Sequence, residues 1–151
     1  MKTFQCILAL VATLLLLAGC VSLNTPEGYA QRTRTGGYEY KAISTDASVI
    51  AVAEYENEDE DQGTLEYWTE AARKQLTLSR GYEFEEEGKF NCSRGPGRWM
   101  RFLRKYRGTD YLYLLGIVVD GGAIYALEAG GEKAHFVKDL PRVIEAFGSL
   151  N

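Results

Sequence analysis

The sequence predicts an α+β domain, a mostly antiparallel β-sheet with one helix on each face. Three observations carry this. Residues 111–119 are apolar on both alternating sets of positions, so they form a strand covered on two sides. Residues 64–80 and 136–150 place apolar side chains at helical spacing and supply the two covers. Short turn signals separate neighbouring strands, which makes hairpins and hence antiparallel pairing. The composition, 46% hydrophobic and 25% charged over 151 residues, belongs to one globular domain. It argues against a disordered chain or a multi-span membrane protein.

Residues 38–44 and 49–56 read as two strands joined by the turn Ser44-Thr45-Asp46-Ala47. Glu54, Glu56, Glu58, Asp59, Glu60 and Asp61 follow as an acidic run. It lacks the ligand spacing and turn glycine of a calcium loop, and a solvated loop is expected. Thr64 is placed to cap a helix whose inner face is Leu65, Trp68, Ala72 and Leu76, and Gly81 ends it. Residues 82–86 suggest a short strand, and their acids suggest an edge. After the loop Ser93–Gly97, residues 98–107 are expected as a strand, with a basic amphipathic helix as the alternative. The central strand ends at Asp120-Gly121-Gly122, a tight-turn signal, and residues 123–128 return as its hairpin partner. Phe136, Leu140, Val143, Ile144, Phe147 and Leu150 form the last helical stripe, with Pro141 tolerated in a first turn after Asp139. The expected order is β-β-α-β-β-β-β-α.

The N-terminus carries a different message. Lys2 is the only charge before Glu27, and an apolar run over residues 7–17 follows it. This is a secretory signal pattern, short for a membrane span of about 20 residues. An uncleaved anchor is the alternative. The run exits through Leu17-Ala18-Gly19-Cys20, which resembles the lipobox of bacterial lipoproteins. That resemblance implies cleavage between Gly19 and Cys20, a diacylglyceryl group on the Cys20 sulfur and an acyl chain on the new amine. Two or more chains anchor a soluble domain stably. Residue 21 is Val rather than Asp, which by the same resemblance favours an outer-membrane address in a two-membrane envelope. The expected organisation is a signal peptide over 1–19, a lipidated N-terminus and flexible tether over 20–36, and one domain over 37–151. The tether is read from the polar composition of residues 21–36, with Pro26, Gly28 and Gly36 among them. Loss of Cys6 with the signal and lipidation of Cys20 leave Cys92 alone, so no intramolecular disulfide is expected.

The layout of residues 37–150 resembles the PsbP-like α/β/α sandwich, found in the lumenal PsbP proteins of photosystems, in Ran-binding proteins and in bacterial DcrB-type lipoproteins. An aromatic-rich strand before Gly121-Gly122 carries the likeness, as does the closing helix with Phe136, Leu140, Pro141, Val143, Ile144 and Phe147. The resemblance implies an accessory or binding protein and transfers no site residues.

Motifs for catalysis are missing. His135 is the only histidine, no Gly-x-Ser-x-Gly elbow occurs, and Gly95-Pro96-Gly97 lacks the rest of a phosphate loop. No metal and no cofactor beyond the lipid on Cys20 is expected. A small enzyme would have only Cys92, His135 and scattered acids to work with. The one unusual constellation is basic: Arg94, Arg98, Arg101, Arg104, Lys105 and Arg107, interleaved with Trp99, Phe102 and Tyr106. It reads either as a solubilising strand surface or as a patch for anionic lipid or another polyanion. The net charge of −4 and the export signal argue against nucleic acid. The expected partners are membrane lipid through the anchor and an envelope protein. The leading expectation is a membrane-anchored, non-catalytic accessory or binding module.

Overall fold

The computed structural model describes residues 20–33 and 36–151. Its strands are β1 (Tyr29–Gln31), β2 (Tyr40–Ser44), β3 (Val49–Glu56), β4 (Glu83–Cys92), β5 (Gly95–Tyr106), β6 (Thr109–Asp120) and β7 (Ala123–Glu132). They form one sheet in the order β1-β2-β3-β7-β6-β5-β4, antiparallel throughout. Helix α1 (Leu65–Lys74) covers one face. The short α2 (Lys133–Phe136) and α3 (Leu140–Phe147), joined by the 3-10 turn Val137–Asp139, cover the other. This is the expected sandwich of an antiparallel sheet between helical layers.

The alternation in β6 divides the core as its sequence requires. Leu112, Leu114 and Val118 enter the core under α3 with Phe136, Val143 and Phe147. Leu115 and Ile117 enter the core under α1 with Leu76, Met100 and Phe102. Gly116 lies under Phe147: a Cβ there would sit 2.8 Å from the ring, so the missing side chain lets the helix approach the strand. β4, rich in acids, occupies the sheet edge, where its exposed charges discourage pairing with another chain.

Two expectations change. Residues 21–31 do not form a flexible tether. Val21 and Leu23 are each only 7% exposed within the α3-side core, and β1 pairs with β2. Ser22 and Asn151 exchange backbone hydrogen bonds, both 3.3 Å. The polar composition concealed two apolar side chains whose binding surface comes from the far end of the chain. The first helix continues as a π-helical turn, Gln75–Ser79, before Gly81 (φ +67°) reverses the chain. The last helix starts where expected, after Asp139 with Pro141 in its first turn, and the short α2 and the 3-10 turn precede it. Residues 1–19, read as the signal peptide, lie outside the described residues. Among the described residues no helix is long and apolar enough to cross a membrane.

Candidate functional site

The basic segment is a strand, and strand geometry disperses it. Arg98 reaches Glu66 on α1, whereas Arg101 turns to Glu85 and Glu86 on β4. Arg94 lies over the Tyr125 ring, donates to its hydroxyl at 2.8 Å and pairs with Asp120. Arg104 lies over Tyr82, Lys105 pairs with Asp110, and Arg107 lies over Tyr106 at the tip of the β5–β6 hairpin. From Arg94 to Arg107 the strand spans roughly 40 Å. The six cations are not brought together, and four are within ion-pair distance of an acid.

Cys92 and His135 are also kept apart. Cys92 closes the β4–β5 turn, where its Sγ donates to the Gly95 carbonyl at 3.3 Å. His135 is exposed on α2, at the opposite end of the sheet. The two ends are separated by the length of β6 from Val118 to Tyr111, roughly 23 Å, so the two side chains cannot act as a nucleophile and base. Among the described residues no three His, Cys, Asp or Glu side chains converge on a metal position. Cys20 is exposed, immediately before buried Val21.

The largest recess described lies elsewhere, beside α1. That helix packs on β5 and β6 and leaves the β7 side of the same sheet face open. The result is a half-open groove of about 740 Å³. Trp68, Ala71, Ala72 and Leu76 form its helical wall, while Leu115, Ile117, Ile124 and Ala126 form its floor. Alanines at 71, 72 and 126 keep it open, since larger apolar residues there would fill it. The π-helical turn brings Gln75 and Leu76 into its lining, with Arg80 just after it, a local widening of the kind often found at functional sites.

Asn57 fixes the Trp68 wall. It is buried, its side-chain amide donates to the carbonyls of Gly63 (3.0 Å) and Gly121 (3.1 Å), and its Oδ1 accepts from Trp68 Nε1 at 3.3 Å. Its own N–H donates to the Gly122 carbonyl. One side chain thus ties the end of β3, the acidic loop, the start of α1 and the β6–β7 turn together.

At the other end of the groove stands Glu128, on the β7 face that otherwise presents Ile124 and Ala126. Tyr113 donates to its Oε1 at 2.9 Å and Tyr38 to its Oε2 at 3.0 Å. Burial, then the Glu128 charge, raises the Tyr113 hydroxyl well above the ordinary tyrosine pKa. The Glu128 charge is the main cause of the rise at Tyr38. Both phenols therefore stay protonated and keep donating at neutral pH. A smaller recess of about 210 Å³, with Lys41, Ala51 and Gly130 in its lining, shares Tyr113 and Glu128 and extends the groove toward β2.

Sequence reasoning did not single out these residues. Their signal is nevertheless present: Glu128 is a lone charge in the alternating set Ile124, Ala126, Glu128 of a strand whose apolar character is otherwise clear.

No family model and no curated protein matches the chain. Solved structures do. LpqN of Mycobacterium tuberculosis, described as involved in cell envelope biogenesis, superposes with a TM-score of 0.62 at 10% identity, over 87% of this chain and 83% of that one. Cyanobacterial PsbP from Synechocystis sp. PCC 6803 gives 0.59 at 12% identity, over 87% and 86%. A Bacteroides thetaiotaomicron protein gives 0.52 at 15% identity, over 87% of this chain and 44% of that one. These likenesses establish the PsbP-like sandwich fold. At such identities they establish the fold alone.

Proposed function

We propose that this protein is a lipid-anchored, non-catalytic binding module of a bacterial cell envelope, holding an amphiphilic small molecule in the groove beside α1. One observation carries the binding reading: an apolar groove paved with alanines ends at a carboxylate held by two tyrosines. Its volume falls within the range of small-molecule sites, and the pattern of apolar walls with few placed polar groups is the usual one. The anchor reading rests on Leu17-Ala18-Gly19-Cys20 and on the acyl groups it implies at Cys20. Outer-membrane residence follows from Val21 on the same reading. The basic segment supports no rival site, because its side chains divide between partners along the whole strand.

Two measurements test the proposal. Intact mass of the protein extracted from its native membranes is expected to show a chain beginning at Cys20 with diacylglyceryl and acyl groups. A chain beginning at Val21 or later would overturn the anchor. For the groove, the domain of residues 20–151 contains both cores and suits solution work. A neutral octyl tetraethylene glycol ether is expected to shift the methyl resonances of Ala126, Leu115 and Ile124. Ala126→Leu, which fills the floor, is expected to abolish the shifts at Leu115 and Ile124. Shifts that persist unchanged in Ala126→Leu would place the binding elsewhere.

A further inference from the structure

The groove also states what kind of molecule it accepts. We propose that its ligand carries an organic cation, an alkylammonium or quaternary ammonium head, seated against the Glu128 carboxylate with its apolar part along Ala126, Ile124 and Leu115. This rests on the groove being a ligand site and narrows the ligand class.

The argument begins with charge. A carboxylate drawn into an apolar recess is costly unless hydrogen bonds or a counter-charge compensate it. Tyr113 and Tyr38 supply one hydrogen bond to each oxygen. Both donors are neutral, so the negative charge is solvated but not cancelled. Among the described residues, Glu128 has no Lys, Arg or His nitrogen within the 4.0 Å of an ion pair. Each carboxylate oxygen keeps a further lone pair for a donor arriving from the groove.

The charges lining the two recesses are few. Arg80 and Glu56 sit in the lining of the larger one, and Lys41 in that of the smaller. Lys41 shares a row with Glu128 through Ala51, two strands away and so roughly 10 Å off at the backbone. Its ammonium rests over the Tyr38 ring, 5.6 Å from the centroid. That contact shows that the aromatic surface here accepts an ammonium group. Tyr55 and Trp68 stand toward the opposite end of the groove, about 13 Å from Glu128 along β7, where their rings flank the apolar part of such a ligand. An anionic head would meet the Glu128 charge directly. Among the described residues no three His, Cys, Asp or Glu side chains converge here to hold a metal ion, and an organic cation is the class that fits a single uncompensated carboxylate beside an apolar floor.

The test uses three probes with one octyl chain: octyltrimethylammonium, the neutral octyl tetraethylene glycol ether, and octyl sulfate. Each is titrated below its micellar concentration into the 20–151 domain carrying Cys20→Ser, with methyl shifts as the readout. Octyltrimethylammonium is expected to bind about tenfold more tightly than the neutral probe, with octyl sulfate weakest. Glu128→Gln is expected to erase that preference, so that the ammonium and neutral probes bind it alike. Added salt is expected to weaken only the ammonium probe in the unmutated domain, which tests the charge without any substitution. Equal affinities for all three probes, a preference for octyl sulfate, or an ammonium preference surviving Glu128→Gln would overturn the cation assignment and leave the groove standing. Failure of all three to bind would overturn both.

Discussion

Replacing Leu23 by Ala tests whether the N-terminal segment is part of the fold. A tether residue is solvent-exposed in both states, and its truncation changes stability by less than about 0.5 kcal/mol. Leu23 is 7% exposed and packs in the core under α3 together with Val21. Truncating a buried leucine costs about 2–5 kcal/mol, least where the surroundings can close on the space. Around Leu23 the segment is tied to the fold by only the two long Ser22–Asn151 bonds and an exposed bond from the Asn24 N–H to Ser149 Oγ, so it can shift partly into the space left by truncation. The expected loss is therefore at the low end, about 2–3 kcal/mol, or about 8–12 °C in Tm for a domain of this size. Urea unfolding of the 20–151 domain measures it, with the midpoint falling and the slope unchanged. Asn24→Ala is the internal control: its side chain is exposed and only its backbone is engaged, so its midpoint should match the parent's. A Leu23→Ala midpoint equal to that of Asn24→Ala would refute the docked arrangement.

Other outcomes follow from the same structure. Asn57→Ala leaves two carbonyls and the Trp68 indole N–H without their partner, which should cost about 2–4 kcal/mol and shift the Trp68 fluorescence, read by urea titration and emission. Gly116→Ala pushes a methyl group to within 2.8 Å of Phe147 and should cost about 1–3 kcal/mol, seen as a lower thermal midpoint. Tyr29 and Tyr113 are both held protonated above the ordinary tyrosine value of 10.0, mainly by burial. The folded state therefore binds more protons than the unfolded state at high pH, so stability is full below pH 10 and falls above it. Urea midpoints across the alkaline range should show the decline, and Tyr113→Phe should make it shallower.

What the sequence disclosed follows from the range of the forces involved. β6 was legible because both its alternating sets are apolar, and the β6–β7 turn because Gly121 takes φ +55° at a position glycine readily adopts. The edge position of β4 was legible in its acids. Docking of Val21 and Leu23 was not, because the segment's partners at Ser149 and Asn151 are about as distant in sequence as two residues of this domain can be. The stripe from Phe136 to Leu150 marked the buried face, and Asp139 with Pro141 marked the start of α3, but the short α2 and its 3-10 turn were not legible, since periodicity reports which face is apolar and not how each turn bonds. The groove was hidden for a related reason. An alanine reads as neutral filler in sequence, and only the placement of α1 over β5 and β6 turns Ala72 and Ala126 into the walls of an opening.

The docked N-terminus also decides how an anchored domain would sit. With Cys20 acylated, only that residue separates the lipid from buried Val21, a slack of about 4 Å rather than the tens of ångströms of a tether. The bilayer would then meet the end of the fold where Ser22 joins Asn151 and Leu150 meets Ser93. Arg104, Lys105 and Arg107 lie roughly 35–40 Å along β5 from that end, several screening lengths away at physiological salt. They would add little to attraction for the same membrane. Val21 and Leu23 enter the core under α3, whereas the groove opens on the α1 face, with the sheet between them. An anchor at Cys20 and the groove would thus lie on different sides of the sheet, and a ligand would enter from the aqueous side without lifting the domain from the lipid. Removing the acyl groups should then change where the protein resides and leave its groove affinity unaltered, which is why a lipid-free domain is a fair test of the binding site.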